Sequence, residues 1–586
     1  MRAFRPAAVA LSFVLLSSPP VIQGWIGGDT RSFVVVTIAL TLLQIVLVWS
    51  WDARSAADSA AARSAALSGP RAAKARVSVQ TYAWLIVVLV AGWLLVHATH
   101  AWLLQIFTIP HDPQRADMLI VVQEGLRRML QGRNPYTIYH VPWEAPLPYG
   151  PMLWGPYAIP MALGADVRFL TVAGELFVPA ACAVAAVVAA ARGRLAASAA
   201  CLIMAAAMCV NPDLERFASI GHTPAYWPLL ALFAWLVVGR RWCAAAIALG
   251  LLVVARTTMV AMVPVLVTAV WRFDRNKGPA VIVFLVLAAA LPFLPFAIWD
   301  TRALGYAMYG SYQNVIKGFV WTSTTWVQHT IGLTGVLLSN GLGRFVEAIQ
   351  IVVMALLYVA AWRALGRGGS AVAWMGAALF AFSMTTLWPV TYVYFDVFLM
   401  LAAALAASLA RFDPPLPRSL AAWWTAAAAM ASVLVAGGAF FMLPASPIID
   451  AGDPDARAYL RSGFAGDERE GDRTFAWVEG RHASILLPRR SRGAAALEVV
   501  CQPALTPGAA GQHMSAVLNG VLVGDITLTA GWNDVSIDVP ARDWRIGVNE
   551  LELTMGSTAS PADTGANGDH RQLSVAIDRV AVRPSP

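Results

Sequence analysis

Apolar runs of about twenty residues recur along most of this chain, and short gaps rich in arginine and lysine separate them. A membrane-spanning helix needs about 20 apolar residues. The runs at 6–23, 32–51, 79–106, 167–191, 195–211, 225–239, 279–299, 344–362, 371–389, 392–410 and 419–443 therefore predict a polytopic helical membrane protein. Only 13% of the 586 residues are charged, against about 25% in soluble domains, which excludes an ordinary soluble enzyme. Basic gaps mark the cytoplasmic side of such proteins. Arg54, Arg63, Arg71, Lys74 and Arg76 place 52–78 inside, and Arg192/Arg194, Arg240/Arg241, Arg272/Arg275/Lys277, Arg363/Arg367 and Arg411/Arg418 mark the other inner turns. On this reading 107–166, 212–224, 300–343 and 444–586 lie outside, and the N-terminus is cytoplasmic. Arg2 and Arg5 precede Pro6–Val21 as in a signal peptide, but a second apolar run follows without a clean cleavage site, which favours a retained first helix.

Two segments break the simple alternation. Residues 242–271 carry basic flanks at both ends, so they must cross an even number of times. Two short helices parting near Arg256-Thr257-Thr258 satisfy that requirement. Pro151–Leu163 is too short and too proline-rich to cross, and reads as an interfacial or re-entrant helix. The stretch 326–341 reads as another short dipping helix. The expected architecture is about 11–13 transmembrane helices: two in 1–78 with a basic inner loop, and the rest in 79–443.

The character changes at 444. Residues 444–586 hold 13 basic and 18 acidic residues, while the preceding chain holds 29 basic and 16 acidic. The positive excess lies in the gaps between apolar runs, so it reads as topology and not as nucleic-acid binding. Period-two alternation at Val535/Ile537/Val539, Leu551/Leu553 and Val575/Ile577 predicts strands. Asn519-Gly520 between apolar runs predicts a hairpin. The tail is expected to form an extracytoplasmic β-sandwich of jelly-roll kind. Cys182, Cys201, Cys209 and Cys243 lie in apolar runs and Cys501 is alone in the tail, so no disulfide forms within the tail.

The chemistry-bearing residues concentrate in the outer segments. Loop 107–166 holds Asp112, Asp117 and Glu124, then Asn134-Pro135-Tyr136 and Tyr149-Gly150-Pro151. Asp117 opens an amphipathic helix to Leu130, where it can cap the helix, act as a base, or do both. Arg256 sits in an apolar segment, where a charge costs at least about 2.5–3.5 kcal/mol on insertion scales. Such a residue faces an anion or a buried acid, or snorkels to the surface. Loop 300–329 holds Arg302, Tyr312, Lys317, Trp321 and Trp326, a set that suits a sugar rim or an ordinary interfacial belt. His222 follows Gly221 at an outer helix end, and Asp396 stands near a helix start, where it complements the dipole. No Walker loop or G-x-G-x-x-G occurs, so a cytoplasmic nucleotide-sugar fold is not expected. No cluster demands a metal, although a divalent ion is compatible with a phosphate site.

The order of Asp117, an amphipathic helix, Gly132-Arg133-Asn134-Pro135-Tyr136, Tyr149-Gly150-Pro151 and a short apolar helix ending near Gly164 resembles the first outer loop of GT-C glycosyltransferases. It is most similar to the polyprenyl-phosphate-sugar-dependent enzymes of glycosyltransferase family 87, which include mannosyltransferases. The resemblance covers roughly 80–410. It departs where Tyr-Pro-Pro is more usual than Tyr149-Gly150-Pro151, and the two helices before residue 79 lie outside it. The resemblance implies Asp117 as general base and Arg256 at the phosphate of the lipid-linked donor; Lys317 and Arg302, read from loop 300–329 itself, are candidates for a second phosphate contact. Asp112, Glu124, Tyr136, Tyr149, His222, Tyr312, Trp321 and Trp326 are the candidates for substrate contact. The implied partners are a polyprenyl-phosphate sugar, a glycan or glycolipid acceptor and membrane lipids. A lipid-linked-sugar transporter or flippase, or a non-catalytic envelope scaffold, accounts for the same spans.

Overall fold

The computed structural model describes residues 73–111, 117–140, 144–221, 223–328, 330, 332–389, 391–409, 437–444, 448–562 and 568–584. The predicted helices at 6–23 and 32–51, and most of 419–443, lie outside the described residues, as do Asp112 and His222.

The described helical part begins with α1 (Ala73–Thr108) and α2 (Asp117–Leu130). It continues through α3 (Arg168–Ala191), α4 (Leu195–Cys209), α5 (Pro212–Ile220), α6 (Trp227–Val238), α7 (Trp242–Ala255), α8 (Val263–Phe273), α9 (Gly278–Ala290) and α10 (Leu294–Gly305). It closes with α11 (Val346–Gly366), α12 (Ala371–Met384) and α13 (Phe395–Leu409). Among the described residues, four helices are long and apolar enough to cross a membrane: Thr81–Thr108, Arg168–Ala191, Gly343–Gly366 and Tyr392–Leu409. Two bent pairs reach that length together, α4 with α5 at 43° and Arg275–Ala290 with Leu294–Val320 at 62°.

Several expected spans are therefore shorter or bent. The run 195–211 stops at Cys209, and Asn211 starts a new helix. Its Oδ1 accepts from the N–H groups of Asp213 (2.9 Å) and Leu214 (3.2 Å), and Pro212 occupies the first helical position. The run 225–239 yields a 12-residue helix, begun by Pro228 and ended at Gly239. The segment 242–271 parts where expected. Arg256 is extended (φ −147°, ψ 119°) between α7 and a 3-10 turn at Thr257–Met262.

Residues 300–329, read from sequence as a loop, are largely helical instead. Asp300 leaves helical geometry, and its Oδ1 caps the N–H groups of Arg302 (3.0 Å) and Ala303 (2.9 Å). The chain then winds as π-helix through Tyr306–Gly310 and Tyr312–Val320. The apolar side chains Ala307, Ile316 and Val320 bury one side of this wide helix, so tertiary packing overrides the polar composition. The stretch 326–341 supplies two short helices, Thr324–Gln328 and Gly332–Ser339. Pro151–Ala162 is short and helical as expected, in three pieces.

Small residues let the helices approach closely, as in membrane bundles. A Cβ on Gly250 of α7 would lie 2.6 Å from the Leu285 carbonyl oxygen of α9, so only glycine fits that crossing. Trp102, Trp154, Trp227 and Tyr157 fill the interior.

The tail forms two antiparallel sheets. The strands are β1 (Leu460–Ser462), β2 (Phe464–Glu470), β3 (Arg473–Glu479), β4 (His482–Arg489), β5 (Ala495–Pro503), β6 (Gly511–Leu518), β7 (Val521–Thr529), β8 (Asn533–Val539), β9 (Gly547–Met555) and β10 (Leu573–Pro584). One sheet runs β7-β6-β9-β4-β1, the other β8-β5-β10-β3-β2, with Ile449–Asp450 added against β10. Ile485, Leu518 and Leu551 from the first share one apolar cluster with Leu497, Cys501 and Ile577 from the second. The hairpin at Asn519-Gly520 forms as the dipeptide predicts, with both residues at positive φ (53° and 83°), the geometry of a type I′ turn.

The tail packs on the helical part at a defined seam. The Asp166 N–H donates to the Ile546 carbonyl (3.1 Å), and the Ile546 N–H donates to the Gly164 carbonyl (3.3 Å). Arg490 Nε donates to the Leu443 carbonyl at 2.7 Å. Beneath, Arg168 extends Nη1 to the Ser219 carbonyl (3.2 Å) and Nη2 to the Ile106 carbonyl (3.5 Å), tying α1, α3 and α5 together.

Candidate functional site

The break after α7 places Arg256 against three other elements. Its Nε stands 3.6 Å from Oδ2 of Asp396, on the first turn of α13, and both side chains are nearly sealed, 11% and 2% exposed. Arg256 Nη1 donates to the Tyr226 hydroxyl at 2.9 Å. That hydroxyl donates in turn to Asp396 Oδ1 at 2.6 Å, and the Trp227 indole Nε1 donates to the same oxygen at 2.9 Å. The guanidinium carbon lies 5.8 Å from the Tyr226 ring centre and 5.2 Å from that of Tyr392. Arg256 thus stands beside a buried acid. Asp396 does more than complement a helix dipole: it is the counter-charge of Arg256.

Tyr149 and Tyr312, two of the sequence candidates, come to this same place. Both lie within electrostatic reach of Arg256. Tyr149 arrives there because Gly150 lies flat on the end of α7. A Cβ at 150 would fall 1.8 Å from the Val254 carbonyl oxygen. Tyr136, another candidate, supports this turn from behind. Its hydroxyl donates to the Tyr149 carbonyl (3.1 Å) and accepts from Trp154 Nε1 (3.3 Å), and its ring packs edge-on against Phe296. Burial pushes the Tyr136 phenol well above its usual range, so it stays a neutral hydroxyl.

The aromatic rim is a connected chain of rings. Trp326 lies 6.0 Å from Trp388, whose Nε1 donates to the Tyr392 hydroxyl at 2.6 Å, and Tyr392 faces Arg256. Trp321 Nε1 donates to the Leu387 carbonyl (2.9 Å), fixing the same turn. An open apolar groove of about 310 Å³ lies one turn beyond Arg256, lined by Val260, Val263, Ile351, Met354, Tyr358 and Phe382.

Other candidates stand elsewhere. Lys317 pairs with Glu347 at 2.6 Å and lies over the Trp321 ring at 5.7 Å. Arg302 is exposed on the kinked helix α10. Glu124 is paired with Arg127 on the exposed side of α2. Asp117 begins α2 as expected, and α2 packs on the turn Gly155–Tyr157; the Asp117 side chain lies outside what is described. The sequence reading passed over Tyr226 and Trp227. Their signal was weak, a Tyr-Trp-Pro at a helix start, and only the fold shows that both reach Asp396, about 170 residues away in sequence. Among the described residues no group of three or more His, Cys, Asp or Glu could hold a metal ion.

No protein-family model matches the chain, and no curated protein sequence matches it. Among solved structures, arabinosyltransferase EmbB from Mycobacterium smegmatis is similar over 94% of this chain and 68% of its own length, at 12% identity and a TM-score of 0.26. A family 35 carbohydrate binding module from an environmental isolate is similar over 22% of this chain and 92% of its own, at 14% identity and a TM-score of 0.15. The carbohydrate-binding module CBM36, solved with calcium and xylotriose, is similar over 23% of this chain and 98% of its own, at 15% identity and a TM-score of 0.16. At these TM-scores none of the three defines the fold or the chemistry of this chain.

Proposed function

We propose that this chain is a multi-pass membrane glycosyltransferase of GT-C type. It moves a sugar, mannose being the first candidate, from a polyprenyl-phosphate donor to a glycan or glycolipid hydroxyl on the extracytoplasmic side. The observation that carries this reading is the placement of Arg256. A guanidinium sits in a break between apolar helices, under the turn Tyr149-Gly150 and beside tyrosine rings, and an open apolar groove begins four residues further along the chain, at Val260. That combination suits a ligand with a phosphate head and a hydrocarbon tail. Guanidinium binds phosphate through paired N–H groups and stays charged, and the groove offers the tail a surface as apolar as lipid.

In the proposed reaction the acceptor hydroxyl attacks the anomeric carbon while Asp117 takes its proton. Polyprenyl phosphate leaves from the opposite face, so the anomeric configuration inverts. The transition state is oxocarbenium-like, and positive charge fixed at the leaving phosphate acts where negative charge develops. Lys317, paired with Glu347, and Arg302, exposed on α10, are candidates for a second phosphate contact. The tail is read as an extracytoplasmic β-sandwich that shields the site or holds the acceptor chain.

The test is the full chain in lipid nanodiscs with a radiolabelled polyprenyl-phosphate sugar and an envelope glycan acceptor. Label in the glycan, dependent on protein, supports transfer. Movement of labelled lipid between the leaflets of sealed vesicles without transfer supports a flippase instead, and the absence of both activities supports a scaffold.

A further inference from the structure

Resting on the reading of Arg256 as the phosphate-facing group, we infer that Asp396 is the internal counter-ion of that site. It occupies Arg256 when no donor is bound, and it sets the affinity for isoprenoid phosphate by competing for the guanidinium.

The arrangement is built for sharing. A lone arginine at this depth is costly, so the empty site needs an anion of its own, and Asp396 Oδ2 supplies it at 3.6 Å from Nε. That spacing is an ion pair and not a tight bidentate clamp, for which N–H···O distances near 2.7–2.9 Å are the rule. The other carboxylate oxygen is separately satisfied by the Tyr226 hydroxyl (2.6 Å) and the Trp227 indole (2.9 Å). Asp396 therefore keeps two donors when part of the guanidinium turns to a phosphate. Arg256 meets Asp396 at Nε and Tyr226 at Nη1, and its Nη2 makes no hydrogen bond among the described residues. An incoming phosphate thus meets a pre-oriented but electrically balanced group. The balance weakens the hold on the phosphate, which matters for an enzyme that must release its spent carrier after each turnover. Asp396 does not touch the reacting atoms. It is a positioning residue acting through Arg256.

The experiment is binding of farnesyl phosphate, a short isoprenoid phosphate, to the full chain in zwitterionic nanodiscs. The Asp396→Asn variant, equal in size but without charge, is expected to bind at least tenfold tighter than the parent, while Arg256→Gln binds at least tenfold weaker. The double variant should match Arg256→Gln within about threefold, because Asp396 works only through Arg256. Inorganic phosphate should bind at least a hundredfold more weakly than farnesyl phosphate to the parent; equal binding would overturn the isoprenoid assignment. If Arg256→Gln weakens binding but Asp396→Asn leaves it unchanged or weaker, the counter-ion role is wrong and the phosphate reading survives. If Arg256→Gln changes nothing, the phosphate reading itself falls. Should Asp396→Asn melt early, the comparison moves to thermal stability. Farnesyl phosphate must then raise its Tm by more than it raises the parent's, and an equal or smaller shift rejects the proposal.

Discussion

Arg168 reaches Asp166 at 2.7 Å where the helical part meets the β-sheet tail, and both side chains are almost wholly enclosed, 0% and 9% exposed. Burial alone would raise the Asp166 carboxyl, but the adjacent guanidinium outweighs it and holds the carboxyl below the usual carboxylate range. The same Asp166 lends its backbone N–H to Ile546 of the tail. One ion pair therefore braces both the end of the 107–166 segment and the packing of the β-sheet tail.

Removing one partner of a buried pair strands the other charge, at a cost of about 3–5 kcal/mol. Arg168→Ala is expected to destabilise the protein by an amount of that order. It should also make the tail separately cleavable at the seam. Melting followed by limited proteolysis checks both, and an unchanged Tm would refute the bracing role.

His111 stands beside this pair and is half-buried, with Gln123 3.4 Å from its Nδ1. Burial lowers its pKa from 6.5 to about 4, helped by Arg168, Arg545 and Arg127 and opposed by Asp166. The unfolded chain thus binds a proton more readily than the folded one. Stability from this group is fully present above about pH 6.5 and is lost as pH falls toward 4. The span corresponds to about 3 kcal/mol. Denaturant unfolding from pH 7 to pH 4 should show that slope, and His111→Phe should flatten it. Asp166, with its depressed carboxyl, contributes in the same direction only at lower pH, because its stabilisation is lost as pH drops through its own folded value.

Gly150→Ala is expected to cost about 1–3 kcal/mol, as overpacking does, because the new Cβ would meet the Val254 carbonyl oxygen at 1.8 Å and Phe293 at 3.0 Å. The turn must lift from α7, carrying Tyr149 away from Arg256, so transfer should fall with it. Gly155→Ala, where a Cβ enters open space, should alter the Tm little. Parallel melting and activity measurements on the two variants decide the matter.

If Asp117 is the base, Asp117→Asn should reduce transfer by about 10²–10⁴-fold, the usual share of general base catalysis. Its Tm and its affinity for farnesyl phosphate should stay at parent values. Near-normal turnover would exclude Asp117 as the base; loss of binding would recast it as a structural cap.

Local patterns were legible because they depend on near neighbours. The apolar run 167–191 is a helix within a residue or so, Asp117–Leu130 is helical, Asn519-Gly520 makes its turn, and the chain breaks at Arg256 where the basic flanks required it. The 300–329 segment was misread because its Tyr, Gln and Asn residues look like loop in isolation, and the helix survives only by burying Ala307, Ile316 and Val320 against the bundle.

What composition and periodicity alone determined was the division of this chain into apolar helices and an alternating-strand tail, since both follow from hydrophobic spacing along the backbone. Which acid neutralises Arg256 was settled only in three dimensions. Tyr226 precedes α6, Arg256 follows α7 and Asp396 stands in the first turn of α13, and nothing in linear spacing ties a carboxylate to a guanidinium 140 positions away. The low dielectric of the packed interior makes an unpaired charge so costly that the fold must bring such a partner to it.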